Sequence, residues 1–444
     1  MHRLLLAAAV AASLTVNAAA QNKRESKVRA DRYNVTQQGF WIYNDLDKGI
    51  DRAKRTGKPL LVVLRCIPCV ACAQLDAQVV ERDATVRKLL DRFVCVRIVH
   101  ANGLDMSLFQ YDYDQSFAAF FLNADKTIYG RYGTRSHQRE SKDDVHIAGF
   151  AKAMEGALAL HKQYPSVKKS LLAKHGGKPL FPVPEKSAML RGKYGPKLKY
   201  ESNNATLSRS CIHCHQVGEA QRHVFRSQGK PIPDNVLFPY PHPKAIGLIL
   251  DPKETAAVKL VKTGSIAADC GFRAGDKIVT LEGQPLLSIA DIQWVLHNAG
   301  ETAKLNAVVK RDASERNIVL SLPKGWRRLD DISWRASSWS LRRMGTGGLR
   351  LEPLAEAGRK RLEIADGTMA LRVQHVGQYQ AHAAGKRAGF QKGDVLISFD
   401  GKTDLHRDSD VLAYAVNHRK PGDKVPVVLL RGGRKMTLYL PMQD

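Results

Sequence analysis

The chain has 444 residues, 44% hydrophobic and 25% charged, with 69 Lys and Arg against 43 Asp and Glu for a net charge of +26. This length exceeds what one hydrophobic core supports and the composition is that of folded soluble proteins, which excludes a single small module, wholesale disorder and a low-complexity polymer. The positive excess favours acidic partners such as an anionic envelope surface.

Met1-His2-Arg3 is a short basic start, Leu4–Val16 a 13-residue apolar run and Asn17–Ala20 a small-residue tail. The pattern predicts a signal peptide over residues 1–20 cleaved before Gln21, hence a periplasmic or otherwise exported protein with no transmembrane segment in the mature chain. Export separates the protein from the genome, so nucleic acid is not expected as a partner. The seven cysteines, at 66, 69, 72, 95, 211, 214 and 270, are odd in number, and five fall in two tight clusters, unlike the scattered pattern of a disulfide scaffold.

Between Gly39 and Pro165 helix and strand signals alternate. Leu46, Ile50 and Ala53 form a helical stripe, while Pro59–Leu64 and Phe93–Val99 read as buried strands. Ala118–Leu122 and Thr127–Tyr132 flank a turn as an antiparallel hairpin, and Ile147, Phe150, Ala151, Met154 and Leu158 mark a closing helix. Cys69 follows the first strand, and a helix is predicted to begin near Cys72. Helix N-terminal amides would stabilise a Cys69 thiolate, and Cys72 is placed to resolve its mixed disulfide.

On the Lys58-Pro59-apolar strand, Cys69-x-x-Cys72 and the element order, this segment resembles thioredoxin-like proteins. The resemblance implies a thioredoxin-like α/β domain over 39–163 with disulfide exchange at Cys69 and Cys72, and Cys66 as an auxiliary thiol. The position where such proteins carry a cis-proline is Ser116-Phe117 here. A soft-metal site for copper or zinc at Cys66, Cys69 and Cys72, or a structural disulfide, therefore stays open beside thiol redox chemistry. Cys95 is expected to be buried and inert, and Cys270 has no evident partner.

Lys162–Tyr200 holds ten Lys or Arg against the single acid Glu185, with five prolines, and reads as an extended basic linker over 164–200. In 201–243, Cys211-Ile-His-Cys214-His215 has the Cys-x-x-Cys-His form of a c-type haem site. Cys211 and Cys214 would make thioethers to a covalent haem c, and His215 would ligate its iron. His213 is expected to face solvent, and candidates for a sixth ligand are His223, His242, His175 and Met189.

Residues 271–283 (GFRAGDKIVTLEG) recur as 389–401 (GFQKGDVLISFDG), each followed by a helical run and then a strand ending in Arg311 or Arg431. This is an internal repeat of a whole domain, over 244–323 and 344–444, joined by a Trp- and Arg-rich linker at 324–343. The repeat resembles the PDZ domain of exported bacterial Deg-type proteases, a partly open β-barrel with helices. It implies peptide or protein binding, with Ile246-Gly247-Leu248 and Gly347-Gly348-Leu349 as carboxylate-binding loops. The chain lacks the Gly-x-Ser-Gly or Gly-x-Ser-x-Gly stretch of a serine protease.

The predicted fold class is multidomain α/β plus mainly-β: a thioredoxin-like domain, a short haem-binding segment and two PDZ domains, an arrangement resembling multidomain bacterial thioredoxin/PDZ proteins. The function expected is an exported redox protein that couples a thiol site and a c-type haem to protein binding. The alternatives are a haem-bearing scaffold or sensor without catalysis, and a copper-handling protein.

Overall fold

A computed structural model describes residues 24–67, 73–138, 143–201 and 206–444. The expected signal peptide and the pair Cys69 and Cys72 lie outside the described residues. The chain divides into two compact units, the first running to Ala220 and including Tyr240–Leu329, the second comprising Gln221–Pro239 and Asp330–Asp444.

The first unit opens with helix α1 (24–37), β1 (Ile42–Tyr43), α2 (Leu46–Thr56), β2 (Leu60–Arg65), α3 (Ala73–Val80), α4 (Ala84–Leu90) and β3 (Val94–Ile98). The hairpin β4 (Phe117–Leu122) and β5 (Ile128–Tyr132) and the helix α5 (Ile147–Lys162) follow. The sheet order is β1-β3-β2-β4-β5, with β1, β3 and β2 parallel and the hairpin antiparallel. This is the thioredoxin-like arrangement. Every residue of β2, β3, β4 and β5 is buried, which is why these strands read as continuous apolar runs rather than alternating ones. Phe150 and Met154 of α5 join Leu61, Val63, Cys95 and Phe121 in one core. Cys95 is buried as expected, and burial pushes its thiol well above the ordinary range.

Two buried arginines lock the strand ends. Arg97 of β3 pairs with Asp76 of α3 at 2.7 Å and with Asp31 of α1 at 2.7 Å, and Arg65 of β2 reaches Asp76 at 3.1 Å. The ion pairs explain why α1, which has no strong periodic signal, docks on the sheet.

The segment 164–200 is not the extended linker its charge suggested. It contains α6 (Lys168–Leu171) and further single turns, and buries Leu171, Phe181 and Leu190. Its prolines break it into short turns that turn these three residues inward, while Leu172, Leu180 and the lysines stay outside. Lys174 is the exception, fully buried against Asp291 at 2.9 Å. The chain continues through α7 (Thr206–Ser210), α8 (Cys214–Arg226) and α9 (Asp234–Leu237).

The first repeat builds β6 (Leu248–Leu250), β7 (Val258–Val261), α10 (Ile266–Asp269), β8 (Lys277–Leu281), β9 (Gln284–Pro285), α11 (Ile289–Asn298), β10 (Ala303–Arg311) and β11 (Ser314–Leu322). Its sheets run β11-β10-β8-β9 and β6-β7 over their own core. Helix α11 also docks on the thioredoxin-like edge strand β5. Asp291 accepts the Arg131 amide at 3.2 Å and the Leu287 amide at 2.8 Å, Ser288 donates to the Arg131 carbonyl, and the Trp294 indole donates to the Ala173 carbonyl at 2.9 Å. Arg131 stacks on the Trp294 ring at 3.8 Å. On α5, a Cβ at Gly149 would stand 2.0 Å from the Pro252 carbonyl oxygen, so only glycine permits this approach. The thioredoxin-like domain and the first repeat therefore pack as one unit.

The second unit holds α12 (Ser338–Thr346), β12 (Leu349–Pro353), α13 (Glu356–Arg361), β13 (Leu371–Val376), α14 (Ala384–Arg387), β14 (Val395–Phe399), α15 (Asp408–His418), β15 (Lys424–Arg431) and β16 (Arg434–Pro441). Its sheet runs β12-β13-β14-β15-β16. The predicted linker 324–343 is structured as well. Leu341 and Met344 of α12 pack with Leu412 and Val416 of α15, and Arg342 pairs with the buried Asp408 at 2.5 Å.

The two copies agree down to single hydrogen bonds. Arg311 meets Asp276, and Arg431 meets Asp394, each at 2.7 Å, and each arginine also donates to the carbonyl of the glycine that opens its motif. Gly275 and Gly393 share the left-handed backbone, with φ of 89° and 97°, a turn that only glycine makes without strain. The repeated letters thus encode one buried carboxylate, its arginine and the turn that aims it.

Candidate functional site

Parallel strands of an α/β sheet deliver their functional residues at their C-terminal ends. Here β2 ends in Arg65-Cys66 and β3 leads into Val99–Asn102. The Arg65 guanidinium, fixed by Asp76, donates to the Cys66 carbonyl at 2.5 Å and the Ser116 carbonyl at 3.1 Å, and the Cys66 amide donates to the same Ser116 carbonyl at 3.1 Å. Ser116, standing where the resemblance implies a cis-proline, thus braces the buried Cys66. The only cis bond among the described residues is Tyr164-Pro165.

Across this edge lies the second cysteine segment. Asn102 clamps it, accepting the Ile212 amide at 2.7 Å and donating to the Ser210 carbonyl at 2.8 Å, while the Ala101 amide donates to the Ile212 carbonyl at 2.9 Å. Gln216 accepts the His213 amide at 2.8 Å and is held by the Tyr194 hydroxyl. Cys211 and Cys214 are both buried, Cys211 in an apolar cluster with Val28, Val99, Leu198 and Leu207.

The two clusters meet. Cys66 Sγ lies 3.4 Å from His213 Nδ1, and the Tyr111 hydroxyl donates to Cys214 Sγ at 3.2 Å. Burial pushes the Tyr111 hydroxyl well above its ordinary range, with Cys214 adding to the effect, so it remains a proton donor. His213 is not the solvent-facing residue expected from the sequence. Its ring stacks on His215 at 5.6 Å, and burial lowers it to about 4, helped by His215 and Arg24. His215 is lowered too, chiefly by burial. Both imidazoles are neutral at pH 7. Among the described residues no three His, Cys, Asp or Glu side chains gather as a metal cluster.

Sequence reasoning missed Tyr111 and Asn102, which sit in loops without periodicity, and undervalued His213, whose place between two cysteines was the available signal. Of the sixth-ligand candidates, His242 has its Nδ1 accepting the Lys244 amide at 3.2 Å and its Nε2 3.7 Å from Asp144. His223 is on α8 with His215. His175 turns to the Lys126 carbonyl at 3.1 Å.

The glycine amides of the two expected carboxylate-binding loops are engaged within the chain. The Gly247 amide donates to the Lys244 and Pro243 carbonyls, capping a single helical turn. The Gly347 and Gly348 amides both donate to the Arg342 carbonyl, capping α12. These three glycine amides are therefore held by caps in the chain as it stands. In the first repeat a carboxylate of the chain itself, Asp144, meets Lys244 at 2.7 Å. Peptides with free and with amidated C-termini should therefore bind equally well, measured by fluorescence anisotropy. A preference of tenfold or more for the free acid, about 1.4 kcal/mol, would restore Ile246, Gly247, Leu248, Gly347, Gly348 and Leu349 as carboxylate sites.

A thioredoxin-like family model matches residues 41–124 and a PDZ domain model matches residues 258–310. A protein of Pseudomonas fluorescens described as "Probable periplasmic serine endoprotease DegP-like" is 26% identical over 147 residues, covering 33% of this chain and 29% of its own length. Proteins of Brucella suis and Brucella melitensis, each described as a "Putative zinc metalloprotease", are 37% identical over 73 residues, 16% of this chain and 18% of theirs. The chain thus spans less than a third of the length of these curated relatives. Among solved structures, the HtrA-type protease AlgW with a decapeptide is 18% identical over 32% of this chain and 41% of its own, at a TM-score of 0.21.

Proposed function

We propose that this chain, which contains a thioredoxin-like domain and a PDZ domain, is an exported thiol–disulfide oxidoreductase that binds protein partners through its PDZ-type repeats. One observation carries the reading: the second cysteine segment is strapped across the sheet edge where β2 delivers the first, with Cys66 3.4 Å from His213. Inert cysteines have no need of such a meeting. Cys69 acts as the nucleophile and Cys72 resolves, as the resemblance implies. The second copy of the repeat, which duplicates the Asp–Arg pair of the first, is read as a second PDZ domain. The excess of Lys and Arg suits an anionic envelope surface, and among the described residues no helix is long and apolar enough to cross a membrane.

Insulin reduction with dithiothreitol tests the reading. Cys69→Ser should abolish turnover, Cys72→Ser should trap mixed disulfides with substrate, and Cys66→Ser should leave most of the rate. A parent protein no faster than dithiothreitol alone would leave the scaffold or sensor reading. Equal loss of copper(I) binding in all three variants would favour metal handling.

A covalent haem is the second reading, favoured by His215, a neutral imidazole at the first turn of α8 directly after two buried cysteines. The donors fit by type: Cys211 and Cys214 would supply thioethers and His215 the iron ligand. A haem there would supply one-electron transfer. Protein exported from cells with a haem-attachment system should then stay red in a denaturing gel, and Cys211→Ala or Cys214→Ala should weaken the band. A colourless product with the mass of the bare mature chain ends this reading.

A further inference from the structure

Four side chains from three separate stretches of chain converge at the end of β2. Cys66 Sγ faces His213 Nδ1 at 3.4 Å, although the two residues are 147 positions apart, and the Tyr111 hydroxyl reaches Cys214 Sγ at 3.2 Å across 103 positions. Both Cys66 and Cys214 bear electrostatically on the Tyr111 hydroxyl. Ile67, the neighbour of Cys66, packs against the apolar cluster that contains Cys211. Cys95 shows the contrasting arrangement of a packing cysteine, with its sulfur turned to the Leu90 carbonyl inside the main core. Cys66 meets an imidazole and stands beside the second cysteine pair.

We propose that Cys66 exchanges disulfides with the Cys211–Cys214 pair, so that the Cys-Ile-His-Cys segment is an internal second dithiol serving the thioredoxin-like domain. The proposal rests on the thiol-redox reading, and the Cys211–Cys214 disulfide it starts from forms by exchange with a small-molecule disulfide, which leaves as two thiols. In the exchange, the Cys66 sulfur attacks Cys211 Sγ. The Cys211–Cys214 bond breaks with its electron pair on Cys214, and a Cys66–Cys211 bond forms. The Cys66 proton passes to His213 Nδ1, and Cys214 departs as the thiolate, hydrogen-bonded by Tyr111. One disulfide replaces another, so the step consumes no oxidant or reductant. Tyr111, already donating to Cys214, stabilises the sulfur that leaves, because a hydrogen bond to a developing thiolate is stronger than one to a disulfide sulfur.

The test is made on the full exported chain. In Cys214→Ser, mild oxidation with oxidised glutathione should place a Cys66–Cys211 disulfide in most molecules, read by non-reducing peptide mapping. Adding His213→Ala should slow its formation by about tenfold or more, with an unchanged melting temperature showing that the fold is intact. Tyr111→Phe should slow equilibration of the native pair with Cys66. Mapping Cys211 only as a glutathione adduct, or joined to another cysteine, overturns the proposal. So does a parent protein with haem on Cys211 and Cys214, or with a stoichiometric copper or zinc ion shielding Cys66 from alkylation. If the Cys66–Cys211 bond forms while the parent fails to reduce insulin, the exchange stands and the oxidoreductase reading alone falls.

Discussion

Lys174→Met should destabilise the first unit by about 3–5 kcal/mol, the cost of leaving one member of a buried ion pair without its partner. Lys174 and Asp291 have side chains 0% and 1% exposed and meet at 2.9 Å. Asp291 also accepts the Arg131 and Leu287 amides, so its charge stays in place when the lysine is removed. Burial holds the Lys174 ammonium below its ordinary range, and Asp291 offsets only part of that. The pair is thus costly to build and more costly to break. Asp291→Asn should lose a similar amount, because it strands the lysine while keeping an acceptor for an amide. The double variant Lys174→Met with Asp291→Asn should recover most of the loss, since the unpaired charge is gone from both sides. Urea unfolding provides the measurement. A single variant within about 1 kcal/mol of the parent, the range of an exposed pair, would mean that the ion pair does not hold the first repeat to the thioredoxin-like domain.

That joint also shows what the sequence could and could not reveal. Lys174 looked like one of ten cations in a solvated linker, and nothing local marks it as the one buried, because its partner is over a hundred residues away in another domain. Asp291 looked like an ordinary first-turn acid of a PDZ helix. The repeat was legible for the opposite reason. Gly275 and Asp276 with Arg311, and Gly393 and Asp394 with Arg431, act within one small domain, so the same chemistry had to be written twice in the same letters. The thioredoxin-like core was legible because strands buried on both faces must be continuous apolar runs. The site was half legible. Residue types in the two cysteine clusters announced reactive sulfur, but their meeting at Cys66 and His213 depends on the Asn102 clamp and on the packing of 164–200, neither of which has a period or a motif. The expected carboxylate-binding loops show a further limit, because the pattern of apolar residues around glycine also suits a helix cap, and the Gly247, Gly347 and Gly348 amides serve caps.

Stability of the first unit should fall steeply as the pH drops from about 6.5 toward 4. Burial lowers His100, just past the end of β3, to about 4, with a backbone hydrogen bond at Asn102 offsetting only part of the effect, and burial with His215 and Arg24 lowers His213 to about 4 as well. In the unfolded chain both residues take a proton near pH 6.5. Between these values the unfolded state binds more protons than the native one, and stability then rises with pH. The native advantage is therefore complete above about pH 6.5 and is lost on acidification, at up to about 1.4 kcal/mol per pH unit for each histidine. Asp144 acts in a different window. Burial opposes its charge, but His242 and Lys244 hold it below the usual carboxylate value, so its contribution is lost only below about pH 4, where an unfolded aspartate protonates. Urea midpoints at pH 7.5, 6.5, 5.5 and 4.5 separate the two. His100→Gln and His213→Gln should each flatten the slope above pH 4.5 and leave the loss below pH 4. A midpoint in the parent protein that stays level from pH 7 to 5 would show that both imidazoles are solvated, and with that the buried apposition of His213 and Cys66 at the sheet edge would fail.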